Sequence, residues 1–350
     1  MTSSLVRRLA AQPALYLVRG RRRKDDGTYR QVSRYVTDQP SVKLRVAGAA
    51  LAAVGGVTLA VQGRVNGQLG QRIGDGVVAA LVSFGIGSVL LLASLPLLPN
   101  ARAGLRRLRR AVRDRELRPW QCLGGASGAF LVTTQSLTVS ILGVAVFTVA
   151  VVAGQVVASL PVDRAGLGPA GPQAVTPPRL AGAALAVVAV VISVSGHPAI
   201  ADPGGLWWAV LPAVGGLFLA WQLAVNGRVR VAAADVVVPT LVNFLVGTSV
   251  LVVATAVTLL ARGLPNALPG EWWLYVGGPL GICTVLTAVT AVRWTGVLLL
   301  GLSSVAGQLI GAVLLDLSAD DLSATTLIGA AVTMVACGMA AVPERKSMRG

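Results

Sequence analysis

The sequence predicts an all-α, polytopic membrane protein of ten transmembrane helices, arranged as two inverted five-helix repeats. Three observations carry that expectation. The first is duplication: VGGVTLAVQGRVNGQLGQRIGDGVVAALVSFGIGSVL, Val54 to Leu90, returns without a gap 160 residues later as VGGLFLAWQLAVNGRVRVAAADVVVPTLVNFLVGTSV, Val214 to Val250. Gly55/Gly215, Gln62/Gln222, Asn66/Asn226, Asp75/Asp235, Phe84/Phe244 and Gly87/Gly247 coincide. A second block repeats at a spacing of 153, pairing Trp120/Trp273, Gly124/Gly277, Gly125/Gly278, Gly128/Gly281, Gly143/Gly296, Gln155/Gln308 and Asp163/Asp316. An internal repeat decides architecture before any single motif does. The second observation is composition, with mean hydropathy +0.73, 54% hydrophobic residues and only 13% charged ones. The third is that the charges cluster, leaving uncharged runs at 46–63, 76–101, 119–162, 180–201, 203–227, 236–261, 272–292, 294–315 and 322–343.

About 20 residues of helix cross a ~30 Å hydrocarbon core, so each run suffices for one crossing and 119–162 for two. The long run is expected to turn near Leu142-Gly143, because the second copy carries a charge, Arg293, just before Gly296. The organisation read in order is a basic arm at 1–45, a first five-helix repeat at 46–197, a second at 206–342 and a tail at 343–350. The arm carries eleven Lys/Arg against three Asp, scattered Pro, Ser and Gly, and no apolar period, which reads as disordered chain. No apolar core follows Arg7 and Arg8, so it is not read as a signal peptide.

The net charge of +16 would suggest nucleic acid in a soluble protein, but its placement speaks of topology and no nucleic-acid partner is expected. The arm and the segment 101–119, with eight Arg against two acids, are expected in the cytoplasm. With both termini inside, Asp316, Asp320 and Asp321 fall outside and the basic tail inside. Five helices per copy force the second copy to enter from the other face, giving an inverted repeat. Trp120, Trp207, Trp208, Trp272, Trp273 and Trp294 mark span starts at headgroup level, and only Trp221 is expected deep. Glycines 124, 125 and 128, their copies at 277, 278 and 281, and Gly307 and Gly311 offer small faces for helix contact. Cys122, Cys283 and Cys337 lie in apolar runs without metal-ligand spacing, and His197, the sole histidine, sits at a span end beside Pro198.

Gln62 and Asn66 stand four residues apart on one face of the first helix, and Gln222 and Asn226 repeat them on the sixth, so the pairs are expected to face each other across the pseudo-twofold. Amides in hydrocarbon must meet protein, water or a ligand, which leaves two readings open, interhelical bonding or a substrate path. Ser83/Asn243 and Gln155/Gln308 are further symmetric candidates, and Trp221 another. Thr133, Thr134 and Gln135 are matched in the copy by Leu286, Thr287 and Ala288, an asymmetry that fits either selection of a substrate or drift. Asp75 and Asp235 precede the second and seventh helices as helix N-caps or as gating and proton-linked groups. Asp163 and Asp316 end the fourth and ninth spans, packed behind the repeat. Arg64, whose counterpart is Ala224, either binds an anion or snorkels to the interface.

No His/Cys metal cluster, phosphate loop or paired membrane carboxylate is present, and Asp320-Asp321 alone does not make a prenyl-diphosphate site. Neither a metal nor a cofactor is expected, and no enzymatic activity. The preponderance of Arg over Lys, 27 to 3, in an Ala/Val/Gly/Leu-rich chain suits a GC-rich bacterial genome.

The stretch AVQGRVNGQLGQRIGDGVVAALVSFGIGSVLLL and its copy AWQLAVNGRVRVAAADVVVPTLVNFLVGTSVLV resemble the Gln-x-x-x-Asn…Phe-x-x-Gly signature of the YdcZ-like branch of the drug/metabolite transporter superfamily, EamA-like membrane proteins found as single or fused five-helix units. The resemblance covers about 46–342. It implies a secondary transporter, an exporter, in a bacterial inner membrane. Small multidrug relatives use a glutamate in the first helix for proton exchange; residues 46–63 hold no acid, and the arm lies outside the resemblance. The resulting expectation is alternating access for a small, neutral or weakly polar metabolite, with the lipid bilayer as surroundings and a homodimer as a further expectation. A lipid or lipid-linked precursor flippase, or a non-transporting scaffold or regulatory subunit, is the alternative.

Overall fold

A computed structural model describes residues 41–169, 171–195, 205–319 and 322–341. The arm at 1–40, His197, Asp320, Asp321 and the basic C-terminal tail lie outside the described residues, as do the side chains at 289, 292, 293 and 296–298, which include Arg293. Every regular element described is helical. Helix α1 is Val42–Ile73, α2 Gly76–Ser94, α3 Pro99–Arg113, α4 Gly124–Arg164, α5 Pro177–Val194, α6 Leu206–Ala233, α7 Val237–Arg262, α8 Gly277–Leu317 and α9 Ala324–Ala340.

Helix α1 begins earlier than the apolar run, at Val42, with the Ser41 hydroxyl accepting the Leu44 N–H, so 42–45 belong to the helix rather than to the arm. It stops at Gly74, whose φ of 73° closes a left-handed cap. Helix α2 starts immediately afterwards because Asp75 caps it, Oδ1 accepting the N–H groups of Val77 at 2.8 Å and Val78 at 3.0 Å. The copy repeats the cap, Asp235 Oδ1 accepting from Val237 at 2.8 Å and Val238 at 3.0 Å. The identical geometry shows both aspartates as helix caps.

The arginine-rich segment at 101–119, read from the sequence only as a basic loop, is largely the amphipathic helix α3. Its arginines leave Ala101, Gly104, Leu108 and Ala111 at helical spacing, and this buried stripe packs with Leu117 against Val229, Ala233 and Val238 at the end of α6 and start of α7. Arg107 Nε donates to the Ala233 carbonyl at 2.8 Å, fastening the helix across the end of the bundle. This is the α3 end. The opposite end carries Gly74, and there Asn266 N–H donates to the Ile73 carbonyl at 3.0 Å while Arg72 pairs with Glu271 at 2.7 Å.

Helices α4 and α8 are 41-residue runs, far longer than one crossing needs. Helix α4 turns at Gly143, with φ 77° and ψ 167°, where the sequence placed the break. For α8 the neighbours of α1 show the same hairpin: Gly55 packs on Thr287 and Gly56 on Ser304, so residues far apart in α8 meet one level of α1. Counting each run twice gives ten crossings, five per repeat. Among the described residues, seven helices pass on length and hydropathy alone, with Gly277–Ala288 and Ala324–Ala340 as shorter apolar pieces.

The repeats exchange partners. A Cβ on Gly56 would overlap the Ser304 carbonyl and one on Gly216 the Val151 carbonyl, its symmetry mate. Thus α1 lies in the hairpin of α8 and α6 in that of α4, each helix held by the other repeat. Small residues let backbones touch, while large apolar ones point outward, as Val252, Val253, Val257 and Leu260 do on α7. At the centre Phe84 and Phe244 meet across the pseudo-twofold, ring centroids 5.0 Å apart, and Ser88 and Thr248 hydrogen-bond at 2.8 Å.

Candidate substrate path and vestibule

The amides do not face one another as expected. The four-residue spacing put Gln62 and Asn66 on one face, but α1 is seated in α8, so that face meets the other repeat's glycines. Gln62 Nε2 stands 3.2 Å from where a Gly281 Cβ would be, and Gln222 Nε2 3.1 Å from the same place at Gly128. Between them lie the two phenylalanine rings, Phe244 beside Gly281 and Phe84 beside Gly128. No hydrogen bond joins Gln62 to Gln222 among the described residues.

Asn66 is fully buried, and its Nδ2 donates to Gln135 Oε1 at 2.9 Å. The first-copy residue Gln135 is therefore a working partner, and its counterpart Ala288 has no group to offer Asn226. Asn66 Oδ1 and Ser83 Oγ crowd Gly277, and Asn226 and Asn243 crowd Gly124 in the same way. The buried oxygens Gln62 Oε1, Asn66 Oδ1, Gln222 Oε1 and Asn243 Oδ1 have no protein donor. Acceptors sealed from water at full desolvation cost require an explanation, and Gln62 Oε1 and Gln222 Oε1, against Gly281 and Gly128, repeat that need in both copies.

The remaining candidates fall elsewhere. Gln155 and Gln308 contribute their backbone N–H positions to the close contacts with Gly216 and Gly56, on the clasp between repeats. Trp221 is half-buried and stacks on Trp120, centroids 6.3 Å apart and planes 18° apart. Asp75 and Asp235 are the caps described above.

Arg64 marks a second location, at the end away from α3. Its Nη1 is 3.9 Å from Asp316 Oδ1, and Asp316 itself accepts the N–H groups of Val144 at 2.8 Å and Ala145 at 2.6 Å. Asp316 thus caps the second half of α4 where the chain restarts after Gly143. A side chain at Gly143 would strike that carboxylate and would also have to adopt φ 77°. The expectation that Asp316 sits behind the repeat is corrected: it reaches across into the other copy. Its sequence mate Asp163 pairs with Arg179 at the start of α5; positions 297 and 298, which match Val144 and Ala145 in the copy, are among the side chains outside the described residues.

Beside Arg64 opens a polar cavity of about 160 Å³ lined by Arg64, Gln68, Gln71, Val139 and Ser140. Gln68, Gln71 and Ser140 were missed in the sequence, although Arg64, Gln68 and Gln71 stand at helical positions i, i+4 and i+7. The equivalent face of α6 carries Ala224, Arg228 and Val231. There the space is filled: Arg228 donates from Nε to the Leu167 carbonyl and from Nη2 to the Gly166 carbonyl, both at 2.6 Å. Pro169 presses on Gly227, and Gly168 lies against Ala224.

Among the described residues no group of His, Cys, Asp or Glu could hold a metal. Two five-helix units of opposite direction, interlocked around a symmetric polar centre, have the architecture of an inverted-repeat membrane transporter. The chain matches, over residues 47–192 and 207–340, the family described as "Putative inner membrane exporter, YdcZ", and it belongs to that family. It is a multi-pass inner-membrane protein of a transporter class. No curated protein matches the chain.

Proposed function

We propose that the protein is a secondary transporter that exports a small polar metabolite by alternating access between its two halves, with both termini in the cytoplasm. The observation that carries this reading is the symmetric pair of buried amide oxygens, Gln62 Oε1 and Gln222 Oε1, left without protein donors at the repeat interface. A glutamine serving only as glue between helices would spend its oxygen on a neighbour. These two stand on α1 and α6, the helices each repeat inserts into the other, where a rocking motion would alter the space around them. In this reading the α3 end is cytoplasmic, as its arginines require. On that orientation, the filled space at Arg228 and the open one at Arg64 support a conformation closed inside and accessible outside.

Comparing metabolites released by a strain overproducing the protein with those of a deletion strain identifies the cargo, and flux of that compound into inverted vesicles then tests the path. Gln62→Leu and Gln222→Leu are each expected to leave a folded, monodisperse protein in detergent and to lower flux at least tenfold, equivalent to roughly 1.4 kcal/mol or more. Unchanged flux in both variants would remove the pair from the path.

A further inference from the structure

We propose that the cavity formed by Arg64, Gln68, Gln71 and Ser140 is a binding site for a small anion carrying a carboxylate, at the external mouth of the path. This rests on the transport reading above and narrows its substrate, from the neutral metabolite expected from sequence to one with a carboxylate group.

The argument starts from what Arg64 lacks. A guanidinium in a transmembrane helix is costly unless paired or wet, and its side chain is about a quarter exposed, 27%. The nearest carboxylate oxygen is 3.9 Å from Nη1, an ion-pair distance and not a hydrogen bond. Asp316 cannot turn toward it freely, because both carboxylate oxygens already accept N–H groups of the restarted α4 helix. The positive end of that helix dipole also meets part of the aspartate's charge. Arg64 therefore retains donors, and none of the described residues lining the cavity is acidic.

Around it stand groups suited to the rest of an anion's coordination. Gln68 and Gln71 share the Arg64 face of α1, and Ser140 adds a hydroxyl from the last turn before Gly143. Planar guanidinium donors match carboxylate geometry in a two-pronged fashion, and amide N–H and hydroxyl groups complete it. A snorkelling arginine needs none of these neighbours. The copy supplies a contrast: its α6 face has Arg228 at the Gln68 position, but that guanidinium is consumed by the carbonyls of Gly166 and Leu167. Of the two related surfaces, only the one with Arg64 offers a cation to a ligand.

The test requires no flux. In a chain with Cys122, Cys283 and Cys337 replaced by Ala, Ser140→Cys places a thiol on the cavity rim. Right-side-out spheroplasts are treated with a sulfonate-bearing or a trimethylammonium-bearing methanethiosulfonate, and initial labelling rates are compared. The sulfonate reagent is expected to be favoured, and Arg64→Gln to lower the ratio of the two rates about tenfold, within the range of local electrostatic focusing. Millimolar propionate should slow labelling, and propionamide, the same shape without the charge, should not. A ratio indifferent to Arg64→Gln, or equal effects of propionate and propionamide, overturns the site. Should Arg64→Gln fail to fold, the propionate and propionamide pair decides in the Ser140→Cys background alone. Labelling confined to inverted vesicles would instead refute the orientation in the transport reading, a failure distinct from loss of charge preference.

Discussion

The two ends of the molecule begin from the same sequence unit and finish differently. At the end away from α3, the chain passes from α8 to α9 through Ser318–Ser323, and Asp316 crosses over to cap the other repeat beside an open polar cavity. At the α3 end the equivalent passage, from α4 to α5, is twice as long, Ala165–Thr176, and folds back onto α6. Asp163 pairs with Arg179, and Arg228 clamps the returning chain. Nearer the centre the glycine contacts, the phenylalanine rings and the Ser88–Thr248 bond obey the pseudo-twofold, and the buried Asn66–Gln135 bond, with Asn226 and Ala288 as its counterparts, is the exception. On the alternating-access reading proposed above, a transporter needs a symmetric core that tolerates two tilts and ends that can be told apart. Here the difference comes from one short insertion and one arginine at position 64 rather than 224.

The largest expected effect tests whether the two aspartates carry different loads. Asp316→Ala strips two buried N–H groups of their acceptor and leaves Arg64 without a counter-charge. It should cost roughly 2 to 3 kcal/mol of stability, seen as a lowered midpoint of thermal unfolding in detergent. Asp163→Ala removes a part-exposed ion pair and should cost roughly 0 to 1 kcal/mol. Equal losses would mean that the two ends are more alike than their hydrogen bonds indicate.

Much of the architecture was legible in the sequence, for identifiable reasons. Repeat spacing set the five-helix unit, Gly143 marked a turn that an L-residue would resist, and Asp75 and Asp235 preceded helices at capping distance. What escaped depended on neighbours. A four-residue interval places Gln62 and Asn66 on one face, yet cannot say that α8 rather than α6 covers it. Asp316 acts on residues 171 and 172 positions away, beyond any local pattern. Counting arginines in 101–119 concealed the buried stripe that makes α3 a helix, and a Gly/Pro-rich connection such as 165–176 has the composition of any surface loop. The Arg64, Gln68, Gln71 face was readable as a period and passed over because each residue was weighed singly.

The second prediction sharpens the comparison at the α3 end. If the chain at 166–169 closes the space opposite the Arg64 cavity, a cysteine at Ala224 should be shielded from a soluble thiol reagent applied to inverted vesicles. Arg228→Gln removes charged donors to two carbonyls, a loss of roughly 1 to 2 kcal/mol of closure, and should raise the labelling rate about 5- to 30-fold. The same substitution should leave labelling at Ser140→Cys on the other face unchanged. Equal shielding with and without Arg228 would show that the segment is held by packing on Gly227 alone.

The smallest expected effect concerns the part the two repeats still share. Ser88 and Thr248 meet at 2.8 Å on the pseudo-twofold between α2 and α7, one hydroxyl from each copy, so either can donate and neither end of the molecule is favoured. Hydrogen bonds between transmembrane helices average about 0.6 kcal/mol, because the separated helices find other partners in the membrane. Ser88→Ala and Thr248→Val should each cost about that much, and the double variant no more than slightly above either single one, since both remove the same bond. Because the bond favours neither end, flux should change less than about twofold, and labelling at Ser140→Cys and at Ala224→Cys should not shift in opposite directions. Additive losses in the double variant would show that each hydroxyl has another partner and that the bond does not join the repeats.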